Sequence, residues 1–463
     1  MLKTSWHLLI VLVLVLSFSC TTDNNDEIVA RVGDYNIYYN DFIKNFERFP
    51  RYQKGMTVRD ARMKQLEFEI EKAYNSLAGY EVGIHLEEDI QKKMNYIYQK
   101  EILAELYLEK ISNKVKISED ERREAFRRLN LRLKARHLLF NSQKEAEVAR
   151  EMILSGKETF TSLAKKIFKD PRLRESGGLL GLVSFGDTDP EFENAMYSLK
   201  KGEISTPVKT KFGYHLIQID EIQYQVFRSD NEYQKAIPTI DKELRIRKED
   251  SLAVVFLKST FPDVDYKIKS EGLNALRNAL RLAFSEFPLD TNNRSTRPPL
   301  ILPEIETAMK NVSDEPLIEF NNYTWTVKDF LEKLKYTSPF QRPNLRNSNI
   351  LISTIVQLAR NQLLFDFAVE EGYGKRKNVL RRVERWQRLL VAEEFKKRYM
   401  LKSYKNKYPE KWNKLYSTLT KLKNEMKPVI NEQILLKDVD NPDMKIKQHP
   451  APVILREMYV WPE

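Results

Sequence analysis

At 463 residues the chain exceeds what one hydrophobic core fills and implies two or three domains, while 42% hydrophobic and 11% aromatic content exclude wholesale disorder. A formal charge of +11 would suit nucleic acid in a cytoplasmic protein. The exported N-terminus described next removes that partner and leaves anionic lipid headgroups, acidic client segments or a merely solvated basic surface.

Residues 1–20 read as a signal peptide. Lys3 supplies a positive charge, Leu8 to Leu16 are uniformly apolar, and Ser17-Phe18-Ser19-Cys20 follows. This run is well short of the ~20 residues a spanning helix needs and has the length of a signal-peptide core. Small residues at Ser17 and Ser19 suit an ordinary signal peptidase. Alternatively the segment ends in a lipobox and Cys20 is acylated; Leu16 then stands four residues before the cysteine rather than the usual three. Cys20 is the only cysteine of the chain, so no disulfide is expected. Polar residues 21–27 read as a tether, which together with acylation places the protein in the bacterial envelope, anchored to a membrane and facing the periplasm.

Residues 28–130 open with a pattern that recurs near the other end. Val29 to Phe42 align without a gap on Leu317 to Phe330, with Tyr35 on Tyr323, Asp41 on Asp329 and Phe42 on Phe330. Each reads as strand, tight turn (Gly33-Asp34 or Asn321-Asn322), strand and helix start. In the second copy Thr326 and Asp329 have capping-box spacing. Downstream, helices ending near Gly83 and Gly372 are each followed by apolar positions at matching intervals: Ile90, Met94 and Ile97 in one copy, Val379, Val383 and Trp386 in the other. This pattern points to a duplication.

Residues 131–223 change character. Seven of the 14 glycines fall between Gly156 and Gly213, among short β-type runs and turn signals. Residues 224–312 read as helix-rich and charged, with Thr291 to Pro299 a linker, and 313–463 as the second strand-helix segment. Lys375-Arg376-Lys377 with Arg381, Arg382 and Arg385 reads as the solvated face of a helix whose buried side is Val379, Val383 and Trp386.

The middle segment carries six fragments in order: Ala135-Arg-His-Leu-Leu139, Phe160-Thr-Ser-Leu-Ala164, Gly177-Gly-Leu-Leu-Gly181, Pro190-Glu-Phe-Glu193, Gly202 to Thr210, and Phe212-Gly-Tyr-His-Leu-Ile217. On these it resembles the parvulin (PpiC-type) peptidyl-prolyl isomerases over its whole length. The resemblance implies an α+β fold: a four-stranded antiparallel sheet wrapped by helices, here beside mostly helical chaperone segments duplicated at the two ends. It implies that His137 and His215 are paired core histidines, that Asp170 stands beside them, and that Thr210 joins their hydrogen-bonded cluster. Leu180 and Phe192 line the proline pocket. Thr188 takes a pocket position where many parvulins carry methionine, and Leu179 replaces the aspartate common in the glycine turn.

The chemistry agrees in kind. X–Pro isomerisation is slow because the amide has partial double-bond character. Lowering that barrier needs an apolar slot and a surface that favours the twisted amide, with interior polar groups paired to one another. No further Cys or His stands at ligand spacing, so neither metal nor cofactor is expected. The whole architecture resembles envelope chaperones of the SurA and PrsA types. The implied function is a foldase that isomerises X–Pro bonds in unfolded or nascent exported proteins. The competing reading is a holdase whose parvulin domain binds without turnover.

Overall fold

In the computed structural model, which describes residues 27–48, 56–224, 230–286, 309–335 and 347–437 together with 307, 345 and 439, the chain begins with a hairpin. Cys20, the apolar leader, the tether up to residue 26 and the Thr291–Pro299 linker lie outside the described residues, as do His7 and His449. Strands β1 (Ile28–Val32) and β2 (Tyr35–Tyr38) pair antiparallel around Gly33, whose φ of 55° is the left-handed conformation the turn requires. Helix α1 (Tyr39–Arg48) follows. Helix α2 (Val58–Glu81) starts at a capping box in which Thr57 accepts the Asp60 N–H at 3.1 Å. It ends before Gly83, φ 85°, and α3 (Glu88–Lys110) begins after a short turn.

Next come α4 (Glu119–Leu129), β3 (Leu131–Phe140), α5 (Gln143–Leu154), α6 (Phe160–Ile167), α7 (Pro171–Ser176), β4 (Leu179–Val183), α8 (Pro190–Ser198), β5 (Val208–Thr210) and β6 (Gly213–Tyr224). The strands form an antiparallel sheet in the order β4-β3-β6-β5. Alternation along the strands sends side chains to two separate cores. Leu133, Ala135, Ile217 and Ile219 pack with Phe192 and Met196 of α8 on one face. Leu138 and Leu216 pack with Ala146, Phe160 and Leu163 of α5 and α6 on the other. Helix α9 (Asp230–Thr260) runs back along α4, held by a two-pronged Arg122–Asp241 pair at 2.6 and 3.2 Å. Strand β7 (Tyr266–Ile268) comes next, and α10 (Ser270–Glu286) leads away from it.

The second copy is β8 (Pro316–Phe320), β9 (Tyr323–Thr326) and α11 (Val327–Lys335). Asn321 holds its turn at φ 46°, the position Gly33 takes in the first copy. Thr326 and Asp329 form the reciprocal capping bonds, 3.3 and 2.8 Å. Helices α12 (Ser348–Glu370) and α13 (Lys377–Met400) flank Gly372, φ 78°. The chain continues through α14 (Lys402–Lys407), α15 (Pro409–Glu425), β10 (Val429–Ile430) and α16 (Glu432–Leu435).

Of the described residues, 27–105, 269–317 and 325 onward form one unit, and 106–268 with 318–324 form another. The first unit joins the early and late described segments of the chain. Strand β10 extends the β1-β2 sheet, and Ala73, Tyr74 and Ala78 of α2 share a core with Val391, Phe395, Leu415 and Leu419. Gly79 lets α2 and α13 meet closely: a Cβ there would fall 2.5 Å from Val391 Cγ1. Buried Arg62 donates to the Leu435 and Lys437 carbonyls at 2.8 and 2.7 Å, which ties the chain's last described turn to α2.

The basic helix corrects the sequence reading. Its arginines are not a solvated face. Arg382 pairs with Glu101 and Glu105 at 2.7 and 2.8 Å, Arg385 pairs with Asp41, Arg388 reaches Asp34 at 3.2 Å, and Arg398 takes Glu87 in two bonds of 2.6 and 2.7 Å. Val379 and Val383 are buried, but Trp386 is partly exposed, with Arg385 over its ring. Arginine suits this work because its flat fork matches carboxylates and stacks on rings.

Candidate functional site

The α8 face of the sheet carries the chemistry. His137 lies opposite Ile217 in register and His215 opposite Leu139, which makes the two histidines diagonal neighbours on one face. Their Nδ1 atoms are 3.2 Å apart and the rings stack at 5.4 Å. The Thr210 hydroxyl lies 2.8 Å from His215 Nε2, and its oxygen also accepts the Phe212 N–H at 3.1 Å.

Two protonation patterns satisfy this chain. Either Thr210 donates to His215 and His215 donates to His137, or both bonds run the other way. In each, a single proton lies between the Nδ1 atoms, and His137 Nε2 is a buried atom left without a partner among the described residues. Burial, aided by the neighbouring His215, pushes His137 down to about 4. Burial also lowers His215, opposed by the Asp189 carboxylate. Both rings are therefore neutral at pH 7.

Phe192 stands edge-on to both imidazoles, with centroids 5.9 and 5.3 Å away. Phe168, which no motif singled out, lies 5.3 Å from His137. The glycine turn is required at one point above all. The His137 N–H donates to the Gly178 carbonyl at 2.9 Å, and a Cβ on Gly178, φ 76°, would sit 2.0 Å from the His137 carbonyl oxygen.

Helix α8 is fixed from outside the 131–223 segment. Glu193, next to Phe192, has a fully buried side chain, accepts the Gly186 N–H at 2.7 Å and takes both prongs of Arg247 on α9 at 2.9 and 2.8 Å. Arg247 also covers the Phe185 ring at 4.6 Å. The 184–189 loop is thus pinned at Gly186 by Glu193 and at Ser184 by Asp187. No single-sequence signal marked Arg247, because its partner is 54 residues away in another segment.

The sequence-predicted residues divide. His137, Thr210, His215 and Phe192 come together. Asp170 makes no hydrogen bond to either histidine among the described residues: it caps α7, accepting the Arg172 N–H at 2.8 Å and pairing with the Arg172 guanidinium at 3.0 Å. A carboxylate followed by proline at a helix start is drawn to the free backbone N–H groups there. The acid whose field reaches His215 is Asp189. Leu180 sits at a bulge of β4 and is 39% exposed, outside the Phe192 cluster. Thr188 has a buried hydroxyl with no partner among the described residues. Nor do the described residues contain a group of three His, Cys, Asp or Glu able to hold a metal.

A histidine pair beside an aromatic side chain, on an antiparallel sheet of the order β4-β3-β6-β5, is the arrangement that the resemblance to the parvulin class implies. The PpiC-type PPIase domain model matches residues 138–221. The foldase protein PrsA of Oceanobacillus iheyensis is 27% identical over 278 residues, 58% of this chain and 91% of that one. The foldase protein PrsA of Caldanaerobacter subterraneus subsp. tengcongensis is 33% identical over 221 residues, 47% of this chain and 67% of that one. A crystal structure of the peptidylprolyl isomerase PrsA from Bacillus anthracis, 21% identical, covers 48% of this chain and 95% of its own, with a TM-score of 0.25. The chain belongs to the PpiC-type parvulin family of peptidyl-prolyl isomerases.

Proposed function

We propose that the protein is an envelope foldase that isomerises X–Pro bonds of unfolded exported proteins at the His137–His215 face, with Phe192 as the wall against which the proline ring packs. The observation that carries this reading is the coupled cluster itself: Thr210, His215 and His137 hydrogen-bonded in series beneath the edge of Phe192.

The geometry accounts for catalysis without a nucleophile. Rotation about the prolyl bond faces a barrier of about 18–20 kcal/mol because it breaks amide resonance. The twisted amide is less polar than the planar one, so a dry surface favours it. Neutral imidazoles joined through their Nδ1 atoms, with His215 also bonded to Thr210 and only His137 Nε2 left without a partner among the described residues, give such a surface, and Phe192 supplies apolar contact. Thr188, given a pocket position by the resemblance, is a polar intrusion on this surface in this reading. Leu180 and Leu182, exposed on β4, offer apolar area for residues flanking the proline. The role of Asp170 is the cap of α7, which precedes the Gly177-Gly178 turn and so helps set the strand carrying that turn.

The unit that joins the early and late described segments provides the chaperone surface in this reading. Cys20 is the proposed lipid attachment point, and residues 21–27 link it to β1. No helix among the described residues is long and apolar enough to cross a membrane. Mass analysis of the membrane-extracted protein tests the anchor: a diacylated Cys20 supports it, and an unmodified N-terminus after cleavage at Ser19 refutes it. A turnover assay with a short X–Pro peptide tests the isomerase.

A further inference from the structure

The segment from Met400 to Tyr416 is unlike the rest of its unit. The arginines just before it are consumed by carboxylates, as shown above. Lys402, Lys405, Lys407, Lys411 and Lys414 have none: no carboxylate among the described residues lies within ion-pair distance of any of them. Glu410 is the one acidic residue between Met400 and Tyr416.

The same stretch leaves large apolar groups in solvent. Met400 is 67% exposed, Tyr416 50% and Leu401 44%. They sit at the edge of a stacked series that runs from buried Phe395 through Tyr399 and Trp412 to Tyr416, with successive centroids 6.1, 5.8 and 5.5 Å apart. The Trp412 indole is fixed by donation to the Tyr399 carbonyl at 3.0 Å. The lysines border these rings: Lys405 Nζ is 4.0 Å from the Trp412 centroid, and Lys407 and Lys411 are each 5.3 Å from that of Tyr408.

We infer that the Met400–Tyr416 surface of α14 and α15 docks on anionic lipid headgroups. Tyrosine and tryptophan favour the headgroup level, where one end of the ring is wet and the other dry. Unpaired lysines around them gain from a negative surface, each by roughly a factor of five. A helical face, whose backbone groups are bonded within the helix, offers none to an extended peptide, which argues for a membrane over a client strand. From the proposed Cys20 anchor the inference takes one point only: the chain from Cys20 to Ile28 spans at most about 28 Å, and β1 belongs to the same unit as this surface.

The test uses the chain from residue 20 with Cys20→Ser, so that no acyl chain contributes, in co-sedimentation with vesicles. Binding to phosphatidylglycerol-containing vesicles, absent with pure phosphatidylcholine and falling as salt rises from about 0.05 to about 0.5 M, is expected. Changing the five lysines to Gln should weaken it at least about tenfold, and Met400→Ser with Leu401→Ser should weaken it as well. A control with Lys144, Lys157, Lys165, Lys200 and Lys201 changed to Gln, which removes the same charge elsewhere, should bind like the parent. Failure to bind anionic vesicles overturns the inference. So does an equal loss in the control, and so does an acidic unfolded polypeptide that binds this surface while vesicles do not. Acylation at Cys20 is scored separately by mass, so failure of the anchor and failure of the docking surface are distinct results.

Discussion

Removing Arg247 is the perturbation that most directly asks whether α9 is part of the isomerase site. In Arg247→Met the Glu193 carboxylate, with no solvent exposure, loses two charge-assisted bonds of 2.9 and 2.8 Å. Stripping one partner from a buried ion pair costs about 3–5 kcal/mol. The Gly186 N–H remains on Glu193, and Arg128 stands 3.6 Å away, so the lower end, about 3 kcal/mol, is expected. Tryptophan fluorescence is blind here, since no tryptophan lies in 106–268. Amide hydrogen exchange of β3 and β6 is the suitable assay, and protection there should fall by about two orders of magnitude. The double variant Arg247→Met with Glu193→Gln removes the stranded charge and should recover to within about 1 kcal/mol of the parent. A loss below about 1 kcal/mol in the single variant, or no recovery in the double, would refute the reasoning.

Three further outcomes follow from the site. His137 is held at about 4 when folded, while an unfolded histidine titrates near 6.5. Between those values the unfolded chain binds more protons, so stability falls as pH falls, by about 2 kcal/mol at pH 5, with His215 acting in the same direction; β3 protection that is flat between pH 7 and 5 contradicts a neutral pair. Gly178→Ala combines left-handed strain with a clash against the His137 carbonyl and should cost about 3 kcal/mol, whereas exchange rates like the parent's would mean the turn can shift. Thr188→Val removes a buried hydroxyl without a partner among the described residues and should stabilise the domain by about 1 kcal/mol; a destabilised variant would mean that the hydroxyl is hydrogen-bonded in solution.

The local grammar of the chain was legible from residue types. The turns at Gly33 and Asn321 adopt the same left-handed conformation because both positions hold residues that tolerate it. Thr326 and Asp329 cap as their spacing implied. His137 and His215 meet because ordered strand fragments fix the sheet register. What was not legible depends mostly on partners distant in sequence. Asp170 is the local exception: resemblance alone put it beside the histidines, and its carboxylate is engaged by the helix start of α7. A run of arginines looks solvated until the facing residues are known; here Glu101, Glu105, Asp41 and Glu87 are about 280 to 340 positions away along the chain. The shared core of α2 with α13 and α15 was invisible for the same reason, since periodicity shows which face is apolar but not what covers it.

The central claim is that the His137–His215 face beneath Phe192 turns over prolyl bonds. Its most direct test is the isomerisation rate of a short X–Pro peptide with the chain lacking residues 1–20, measured beside Phe192→Ala. Acceleration by the parent that disappears in Phe192→Ala is the predicted result. No acceleration across several residues X, with the domain shown to be folded by exchange, would contradict it.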